Sequence, residues 1–451
     1  MIAFLRRHKR AIIALLPVGL AAFLLRPTDF FSLMLLALLL IFIASQIFWI
    51  ARIVDLGEWL LPGKPRRAWL TAIACLLYLF VLIYCYPEWG LGHGIRASDY
   101  RLQSILIAAV FWWWFVGSMS AFLLVIAFGM LDRAARAAAW LYGKAREAIQ
   151  GRSAVPQLGA IAPDPPSSGR RRFLEQTAVL VSATPFVATG YGLLYGRKNV
   201  EVVRQRIRLA RLPKAFEGFR IAQLSDIHIG PFTTADYIRR CVVITNGLKP
   251  DLIALTGDYV CWDPTDQGEA VRALADLRAP NGVFGCLGNH EWMTETEDSI
   301  TRLFAAQGIR ILRQERAAIQ SSGETLNLIG LDDPPPREEV DVSRYLQQVK
   351  GLVMPNTVNI LLTHYPNLFD YPELNIDLTL AGDLHGGGQL SLDFVHRGFN
   401  LGTLMGVPYV SGRYEKQGAQ LYANRGIGIT GYPIRLGARP EITLLELVRA
   451  V

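Results

Sequence analysis

The hydrophobic pattern divides the chain into two stretches. Residues 1–200 carry long, nearly continuous apolar runs, such as Leu33–Ile50 and Ile105–Phe128. From about Val200 onward the apolar runs are short and alternate with stretches of helical periodicity. A run of about 20 apolar residues is long enough to cross a bilayer, whereas short apolar strands separated by helices are typical of an α/β domain. We therefore predict an α-helical transmembrane region followed by an α/β domain.

The first stretch predicts membrane-spanning helices that end before the α/β domain. Residues 1–130 are predicted to form four transmembrane helices, at about 11–25, 30–53, 68–86 and 104–130. Residues 131–172 are predicted to be a cytoplasmic amphipathic helix and a linker rich in proline and serine. A fifth transmembrane helix or signal-like segment at 173–198 precedes the domain at 199–451. We interpret Trp112–Trp114, inside the fourth apolar segment, as packing between helices.

The basic residues lie beside the apolar runs and predict an orientation. Residues 1–200 contain 21 lysines and arginines against 9 acidic residues, whereas the remainder contains 25 against 29. The basic clusters lie before the first span, between the second and third spans, and after the fourth span. If the N-terminus is cytoplasmic, all of these clusters are cytoplasmic too. This distribution predicts a multi-pass protein of the cell inner membrane, with its α/β domain on the periplasmic or extracytoplasmic side. It also argues against nucleic acid as a partner of that domain.

Two interpretations stay open for Arg170–Arg172, which precede Phe173-Leu174 and an apolar segment. The arrangement resembles a twin-arginine export signal. It also fits the positive flank of the fifth span. Both interpretations place the arginines in the cytoplasm and direct the following chain outward.

The cysteines match no spacing for zinc or haem. Cys75 and Cys85 lie in an apolar run, and Cys241, Cys261 and Cys286 are isolated in the second half of the chain. We interpret them as small, buried hydrophobic residues.

Short apolar strands of the α/β domain each end at polar residues. The predicted strands are Arg220–Leu224, Leu252–Leu255, Val283–Leu287, Asn359–Leu362 and Leu378–Leu380. Helices are predicted between several of them, at Ala235–Asn246, Gln267–Leu277 and Ser299–Gln307. Because ligands of layered α/β sheets bind beyond the carboxyl ends of the strands, we expect the residues after these strands to converge.

Residues of metal-ligand type follow these strands in five blocks. The blocks are Asp226-Ile-His228, Gly257-Asp258, Gly288-Asn289-His290-Glu291, His364 and Gly382-Asp383-Leu384-His385. The chain has 7 histidines, and four of them fall in the blocks, whereas His396 lies outside them and is interpreted as an ordinary histidine. Carboxylate, imidazole and amide ligands suit divalent Mn, Fe or Zn. Two such ions side by side can clamp a phosphate and activate water, which makes a metal-dependent hydrolase the leading hypothesis.

The ordered blocks resemble the calcineurin-like metallophosphoesterase superfamily over residues 217–449. The segment Gly426–Thr430, with the continuation Pro433–Glu441, is similar to a bacterial membrane-anchored branch that carries N-terminal spans or a twin-arginine segment. The resemblance implies a four-layer β-sandwich flanked by helices, with a site for two divalent metal ions.

Individual roles are implied by the same resemblance. Asp226, His228 and His385 would hold the first metal, and Asp258 would bridge the two ions. Asn289, His364 and Asp383 would hold the second metal. His290 would be the catalytic acid, and Glu291 would orient it. An alternative for Glu291 is a charge that only stabilises a helix N-terminus.

The last block departs from the family pattern. The usual order is Gly-His-x-His-Gly-Gly-Gln, whereas this chain has Asp383 at the first histidine and Gly388 before Gln389. An aspartate can ligate a harder divalent ion, or it can weaken the second site, or it can be a turn residue that binds no metal. The usual additional Asp after Gly-Asp is also absent at Cys261, although Asp263 is near.

The predicted function is hydrolysis of phosphodiester or pyrophosphate bonds, in which a hydroxide held between the two metals attacks phosphorus. The membrane anchor places the expected substrate in or near the lipid bilayer, as a phosphorylated lipid or an envelope glycan, and soluble nucleotides stay open as an alternative. The alternative is a membrane-anchored sensor or scaffold whose metal site is degraded at Asp383. A transporter role for the first four spans is disfavoured because they contain few charges.

Overall fold

The computed structural model describes two compact units of the chain. The described residues are Ala37, Leu40–Arg52, Ile73, Leu102–Ile149, Ser168–Asp332, Val342–Ser391, Asn400–Leu404 and Gly406–Ala450. One unit comprises Met1–Gly90 and Val110–Gly190, and the other comprises Leu91–Ala109 and Tyr191–Val451. The predicted spans at 11–25 and 68–86, the start of the one at 30–53, and most of the predicted linker lie outside the described residues.

The first unit contains long apolar helices. Its described helices are Leu40–Arg52 (α1), Leu102–Ile149 (α2) and Ser168–Leu194 (α3). Among the described residues, one stretch, Ala109–Arg146 within α2, is long and apolar enough to cross a membrane. The fourth predicted span and the predicted amphipathic helix thus form one continuous helix. The helix does not end at the basic residues, because alanine continues it through them.

Tryptophan side chains join the helices of this unit. Trp114 Nε1 on α2 donates to Gln46 Oε1 on α1 at 2.8 Å, and Trp113 Nε1 donates to the Phe186 carbonyl of α3 at 2.8 Å. Gln46 Nε2 also donates to Ser118 Oγ at 3.0 Å. Buried polar groups between apolar helices need such partners, so these two tryptophans pack between helices, as the sequence predicts.

The second unit is a mixed α/β domain with two six-stranded sheets. The strands are Glu201–Leu209 (β1), Arg220–Leu224 (β2), Leu252–Thr256 (β3), Val283–Cys286 (β4), Ile309–Ile311 (β5), Glu315–Ser321 (β6), Glu324–Gly330 (β7), Val358–Leu362 (β8), Leu378–Ala381 (β9), Gly412–Lys416 (β10), Ala419–Ala423 (β11) and Glu441–Arg449 (β12). The first sheet has the order β1-β12-β2-β3-β4-β5, and the second has the order β10-β11-β9-β8-β7-β6. Strands β2 to β5 run parallel, as do β7, β8 and β9.

Helices lie between these strands. They are Ala235–Gly247 (α4), Gln267–Leu274 (α5), Asn289–Met293 (α6), Glu297–Ala305 (α7), Val342–Leu352 (α8) and Leu401–Leu404 (α9). The three predicted helices correspond to α4, α5 and α7. Helix α5 ends at Leu274, three residues earlier than predicted.

The central strands are buried on both faces, so the domain is built in layers. In β3, Leu252 and Ala254 face a core that includes residues of both sheets, whereas Ile253 and Leu255 face a core shared with α4, α5 and α7. The second sheet has its own outer core, in which Leu361 of β8 packs with Val349 of α8. Side chains alternate between the two faces of a strand, so an all-apolar strand has a core on each side. The predicted two-sheet α/β architecture is confirmed, with helices on both outer faces.

Candidate metal centre

The five blocks converge because they follow parallel strands. Asp226 comes two residues after β2, Asp258 two residues after β3, and Asn289 three residues after β4. In the second sheet His364 follows β8 and Asp383 follows β9. The carboxyl ends of neighbouring parallel strands share one edge of a sheet. The sequence prediction that these side chains converge is therefore met by the geometry.

The ligand loops hold an unusual backbone conformation. Asp226, His228, Asp258, Asp383 and His385 all have positive φ, between 46° and 70°. Residues other than glycine avoid this region because the Cβ crowds the following carbonyl, and strain of this kind accumulates at functional sites. The rest of the fold therefore stabilises loops that point their side chains to one place.

A close approach between the loops explains one glycine in the second block. Gly257 has φ of 82°, and a Cβ at this position would lie 2.7 Å from the Gly288 amide nitrogen and 2.9 Å from His364 Nδ1. Any side chain at this position would push the loop of Asp258 away from the loops that carry His290 and His364.

Three overlapping triads of ligand atoms occupy this edge. Within each triad the candidate ligand atoms all lie within 4.8 Å of one another. The triads are Asp226–His228–His385, His228–Asp258–His290 and Asp226–Asp258–His364. All six side chains are buried.

Asp258 lies at the centre of the arrangement. Its Oδ2 is 3.2 Å from His364 Nε2, 3.3 Å from His228 Nε2 and 3.9 Å from His290 Nε2. On the other side of His228, the Nε2 atoms of His228 and His385 are 3.1 Å apart, and His385 Nε2 is 3.2 Å from Asp226 Oδ1. The Asp258 carboxylate therefore contacts His228 and His364, which the resemblance assigns to different metals.

Carbonyl groups set the tautomers of two ligand rings. His228 Nδ1 lies 3.3 Å from the Val260 carbonyl, and His364 Nδ1 lies 2.7 Å from the Thr256 carbonyl. A carbonyl only accepts, so each Nδ1 carries the hydrogen and leaves the Nε2 lone pair directed at the centre. This is the usual outer hydrogen bond of a metal-ligating histidine.

Two of the candidate ligand rings are held in the neutral form. Burial lowers the pKa of His228 to about 3 and holds that of His385 well below its ordinary value, so both rings are neutral, which is the ligating form. Burial also raises the pKa of Asp226 to about 6 and that of Asp383 to about 7. Burial opposes the charge of Asp258, but the surrounding histidines hold the pKa of its carboxyl below the ordinary value.

Two buried oxygens in the site lack a donor. Among the described residues, neither Asp226 Oδ2 nor Asn289 Oδ1 has a hydrogen-bond partner. An unpartnered buried oxygen is costly, and coordination of a cation satisfies it. The donor set and these oxygens therefore fit metal ions held by the predicted residues.

Asp383, a predicted ligand of the second metal, lies beside the triads. Asp383 Oδ1 is 3.6 Å from His364 Nε2, and its side chain is 17% exposed. Its backbone nitrogen donates to Asp226 Oδ1 at 3.2 Å. Asp383 is in none of the three triads found among the described residues, although its carboxylate reaches the same histidine that contacts Asp258.

Glu291 makes contacts that differ from the expected ones. Its carboxylate accepts from the backbone nitrogens of Gly288 at 2.9 Å, Asp258 at 3.0 Å and Tyr259 at 2.7 Å. The sequence predicts that Glu291 orients the His290 ring. In the structure the Nδ1 atom of His290 donates instead to the Cys261 carbonyl. Glu291 therefore links the loop of Asp258 to the loop of His290 through backbone nitrogens. A fully buried carboxylate needs several such donors around it.

The three cysteines of the domain are structural. Cys241, Cys261 and Cys286 are buried, and Cys241 packs in the core between the first sheet and its helices. Their interpretation as small hydrophobic residues is confirmed.

Arg435 contacts the site, and its sequence context gives no sign of this. Its side chain is among the largest that are fully buried in the described part of the chain. The guanidinium donates to His385 Nδ1 at 2.9 Å and to the carbonyls of Gly428 at 2.6 Å and Arg425 at 2.9 Å. Burial lowers the pKa of Arg435 to about 10, which leaves it charged at neutral pH.

This contact reverses the tautomer of one ligand. Because a guanidinium only donates, His385 Nδ1 accepts, and the hydrogen of the neutral ring lies on Nε2, beside Asp226 Oδ1. Asp226, His385 and Arg435 thus form a buried row of carboxylate, imidazole and guanidinium. Occupation of the Asp226–His228–His385 triad by a cation must displace that hydrogen.

We expect Arg435→Met to lower both the melting temperature and the Mn²⁺ content of the purified chain. The substitution leaves His385 Nδ1 and several buried carbonyls without a donor, at about 1–3 kcal/mol each. Arg439→Met is the matched control, because the Arg439 side chain is 44% exposed and its loss should cost less than about 1 kcal/mol. Thermal unfolding and elemental analysis measure the two effects. Equal results for the two variants would contradict a role of Arg435 in positioning His385.

Comparison with known proteins assigns the family. The calcineurin-like phosphoesterase family model matches residues 219–387, a range that contains all the predicted ligands. The uncharacterized metallophosphoesterase YkuE of Bacillus subtilis is 30% identical over 292 residues, which are 62% of this chain and 97% of that protein. Phosphodiesterase YaeI of Escherichia coli is 31% identical over 293 residues, 62% of this chain and 99% of its own length.

A longer match extends beyond the α/β domain. A protein of Danio rerio named transmembrane protein with metallophosphoesterase domain is 26% identical over 412 residues, which are 86% of this chain and 82% of that protein. The two bacterial relatives are covered over almost their whole length, and their matches agree with the converging ligands. The chain belongs to the calcineurin-like phosphoesterase family.

Proposed function

We propose that this chain hydrolyses phosphodiester or pyrophosphate bonds of a membrane or envelope substrate, with two divalent metal ions. The observation that carries the proposal is the position of Asp258, whose Oδ2 lies within 3.3 Å of both His228 Nε2 and His364 Nε2. A carboxylate between two groups of ligands suits a bridge between two cations. The name of the Escherichia coli relative, a phosphodiesterase, supports diesters as the bond class.

The ligand assignment starts from the Asp226–His228–His385 triad. Asp226, His228 and His385 would hold one ion, and Asp258 would contact both. Asn289, His364 and Asp383 would hold the other, a set supported by the unpartnered Asn289 Oδ1 and by the 3.6 Å between Asp383 and His364. Cations bound there would neutralise phosphate charge and lower the pKa of water in the site.

His290 is the residue that we propose as the proton donor to the leaving group. Its backbone nitrogen donates to Asp258 Oδ1 at 2.9 Å, and its Nδ1 donates to the Cys261 carbonyl. These bonds fix the ring with Nε2 directed toward the centre, 3.9 Å from Asp258 Oδ2. A ring held in this way can deliver a proton from Nε2 to the departing oxygen. Glu291 contributes by positioning the two loops that carry Asp258 and His290.

A membrane location underlies the proposed substrate class. The apolar helix Ala109–Arg146 and the Danio rerio relative that is named a transmembrane protein both support it. We propose a multi-pass protein of a bacterial inner membrane, with the twin-arginine-like segment before the domain and the domain on the extracytoplasmic side. The substrates would then be phospholipids, lipid-linked pyrophosphates or envelope glycan phosphodiesters.

The direct test combines a metal count with a comparison of diester and monoester hydrolysis. Full-length protein in detergent, loaded with Mn²⁺ and dialysed, is expected to retain about two ions per chain and to cleave bis(p-nitrophenyl) phosphate faster than p-nitrophenyl phosphate. Chelated protein is the control and should lose the activity. One ion or none, with no turnover of either ester, would refute the hydrolase and favour the sensor or scaffold.

A further inference from the structure

We propose that Trp262 and Met293 form an apolar subsite for the leaving group, and that the preferred leaving groups are aromatic or otherwise apolar next to the ester oxygen. This inference rests on the proposed function, because it assigns the leaving-group side of the reaction to His290. It concerns a surface that none of the predicted ligands forms.

Trp262 is an exposed aromatic residue on an anchored loop. Its side chain is 47% exposed, although both of its neighbours, Cys261 and Asp263, are buried. The Asp263 carboxylate accepts from the Thr265 nitrogen at 2.8 Å, which fixes the turn that follows. A large aromatic side chain left partly in water on a fixed loop is a common feature of binding surfaces.

The indole covers the proposed acid. The ring centroids of Trp262 and His290 are 4.5 Å apart, with the planes inclined at 56°. The protonated oxygen of the leaving group must come within hydrogen-bond distance of His290 Nε2. Atoms bonded to that oxygen would therefore lie within several ångströms of the indole.

Met293 is a second exposed apolar residue, beside the candidate ligand Asn289. It lies one turn after Asn289 on α6, and Asn289 Nδ2 is 3.9 Å from the Met293 sulfur. The thioether is on the same helix face as the ligand, and its side chain is 44% exposed. Methionine adapts its shape to varied apolar partners, so the pair would accept aryl or alkyl groups.

Binding of two phosphonates to the Mn²⁺-loaded full chain tests the subsite without turnover. Phenylphosphonate and methylphosphonate share the charged head and differ in the ring. By titration calorimetry the wild type is expected to bind phenylphosphonate about 3- to 10-fold more tightly, the range of one aromatic contact. Trp262→Ala should reduce this ratio to less than about 2 while the Kd of methylphosphonate stays within about twofold, and Trp262→Phe should keep most of the ratio.

The control variant is Trp140→Ala, which removes another exposed tryptophan, on α2, and should leave both constants unchanged. Equal weakening of both phosphonates by Trp262→Ala would overturn the proposal, because the indole would then only support the His290 ring. Equal affinity of the wild type for the two ligands would also overturn it. If the ring preference is present but no diester is cleaved, the subsite stands and the hydrolytic function fails.

Discussion

Asp258→Asn is expected to remove both metal ions from the purified chain and to reduce diester hydrolysis by at least about 10³-fold. Loss of even an indirect support of a metal ligand costs about 10- to 100-fold in affinity, and Asp258 contacts both groups of ligands directly. The amide keeps the shape of the side chain and can still accept from the His290 nitrogen. What it loses is the negative charge beside His228 and His364.

The matched control for this change is Asp251→Asn. Asp251 immediately precedes β3, the strand that Asp258 follows, and its Oδ2 accepts from the Arg220 nitrogen at 2.8 Å. It belongs to none of the triads in the described part of the domain, so its variant should keep about two ions. Elemental analysis after dialysis measures the content, and far-UV circular dichroism checks that both variants are folded. Two retained ions in Asp258→Asn would refute the assignment of Asp258 as the bridge.

The strands that carry the ligands could be predicted because their pattern is simple. Strands β2, β3, β4, β8 and β9 are short, mostly apolar runs that are followed by polar residues, so their positions follow from the hydrophobic pattern. Parallel neighbours then bring the strand ends together, which is why the ligands could be placed without knowledge of the sheet order.

Other strands gave weaker signals. Strand β1 pairs with β12 over nine residues, from Glu201 opposite Glu441 to Leu209 opposite Arg449. These segments are 240 positions apart, and no local pattern specifies a partner at such a distance. In the hairpin of β6 and β7, polar and apolar residues also alternate only partly, and polar residues lie on the exposed face.

Buried polar partners were the hardest part of the site to predict. Arg435 stands in a loop sequence where an exposed arginine is the usual expectation, because arginine is rarely buried without partners. Its partners are mostly backbone carbonyls, which carry no residue signature. The same reason applies to Glu291, whose contacts are with backbone nitrogens of the Asp258 loop. The ligand types are therefore predictable, whereas the groups that hold them in place require coordinates.

His290→Ala is expected to lower kcat for a dialkyl phosphate by about 10²- to 10⁴-fold while the chain retains its metal ions. The ring lies in one triad with His228 and Asp258, but the other two triads stay intact without it. An effect confined to kcat with unchanged metal content would therefore assign His290 to proton transfer, whereas a parallel loss of metal would make it a ligand. His396→Ala, which removes one of the three histidines outside the five blocks, is the control and should retain full activity.

The leaving group provides a sharper criterion for His290. A p-nitrophenolate ion departs with little need of a proton, whereas an alkoxide departs only when it is protonated. The loss caused by His290→Ala should therefore be larger for a dialkyl phosphate than for bis(p-nitrophenyl) phosphate. A steady-state comparison of the two diesters measures this difference. An equal loss for both would mean that His290 positions the phosphate and does not protonate the leaving oxygen, and the proton would then have to come from water in the site.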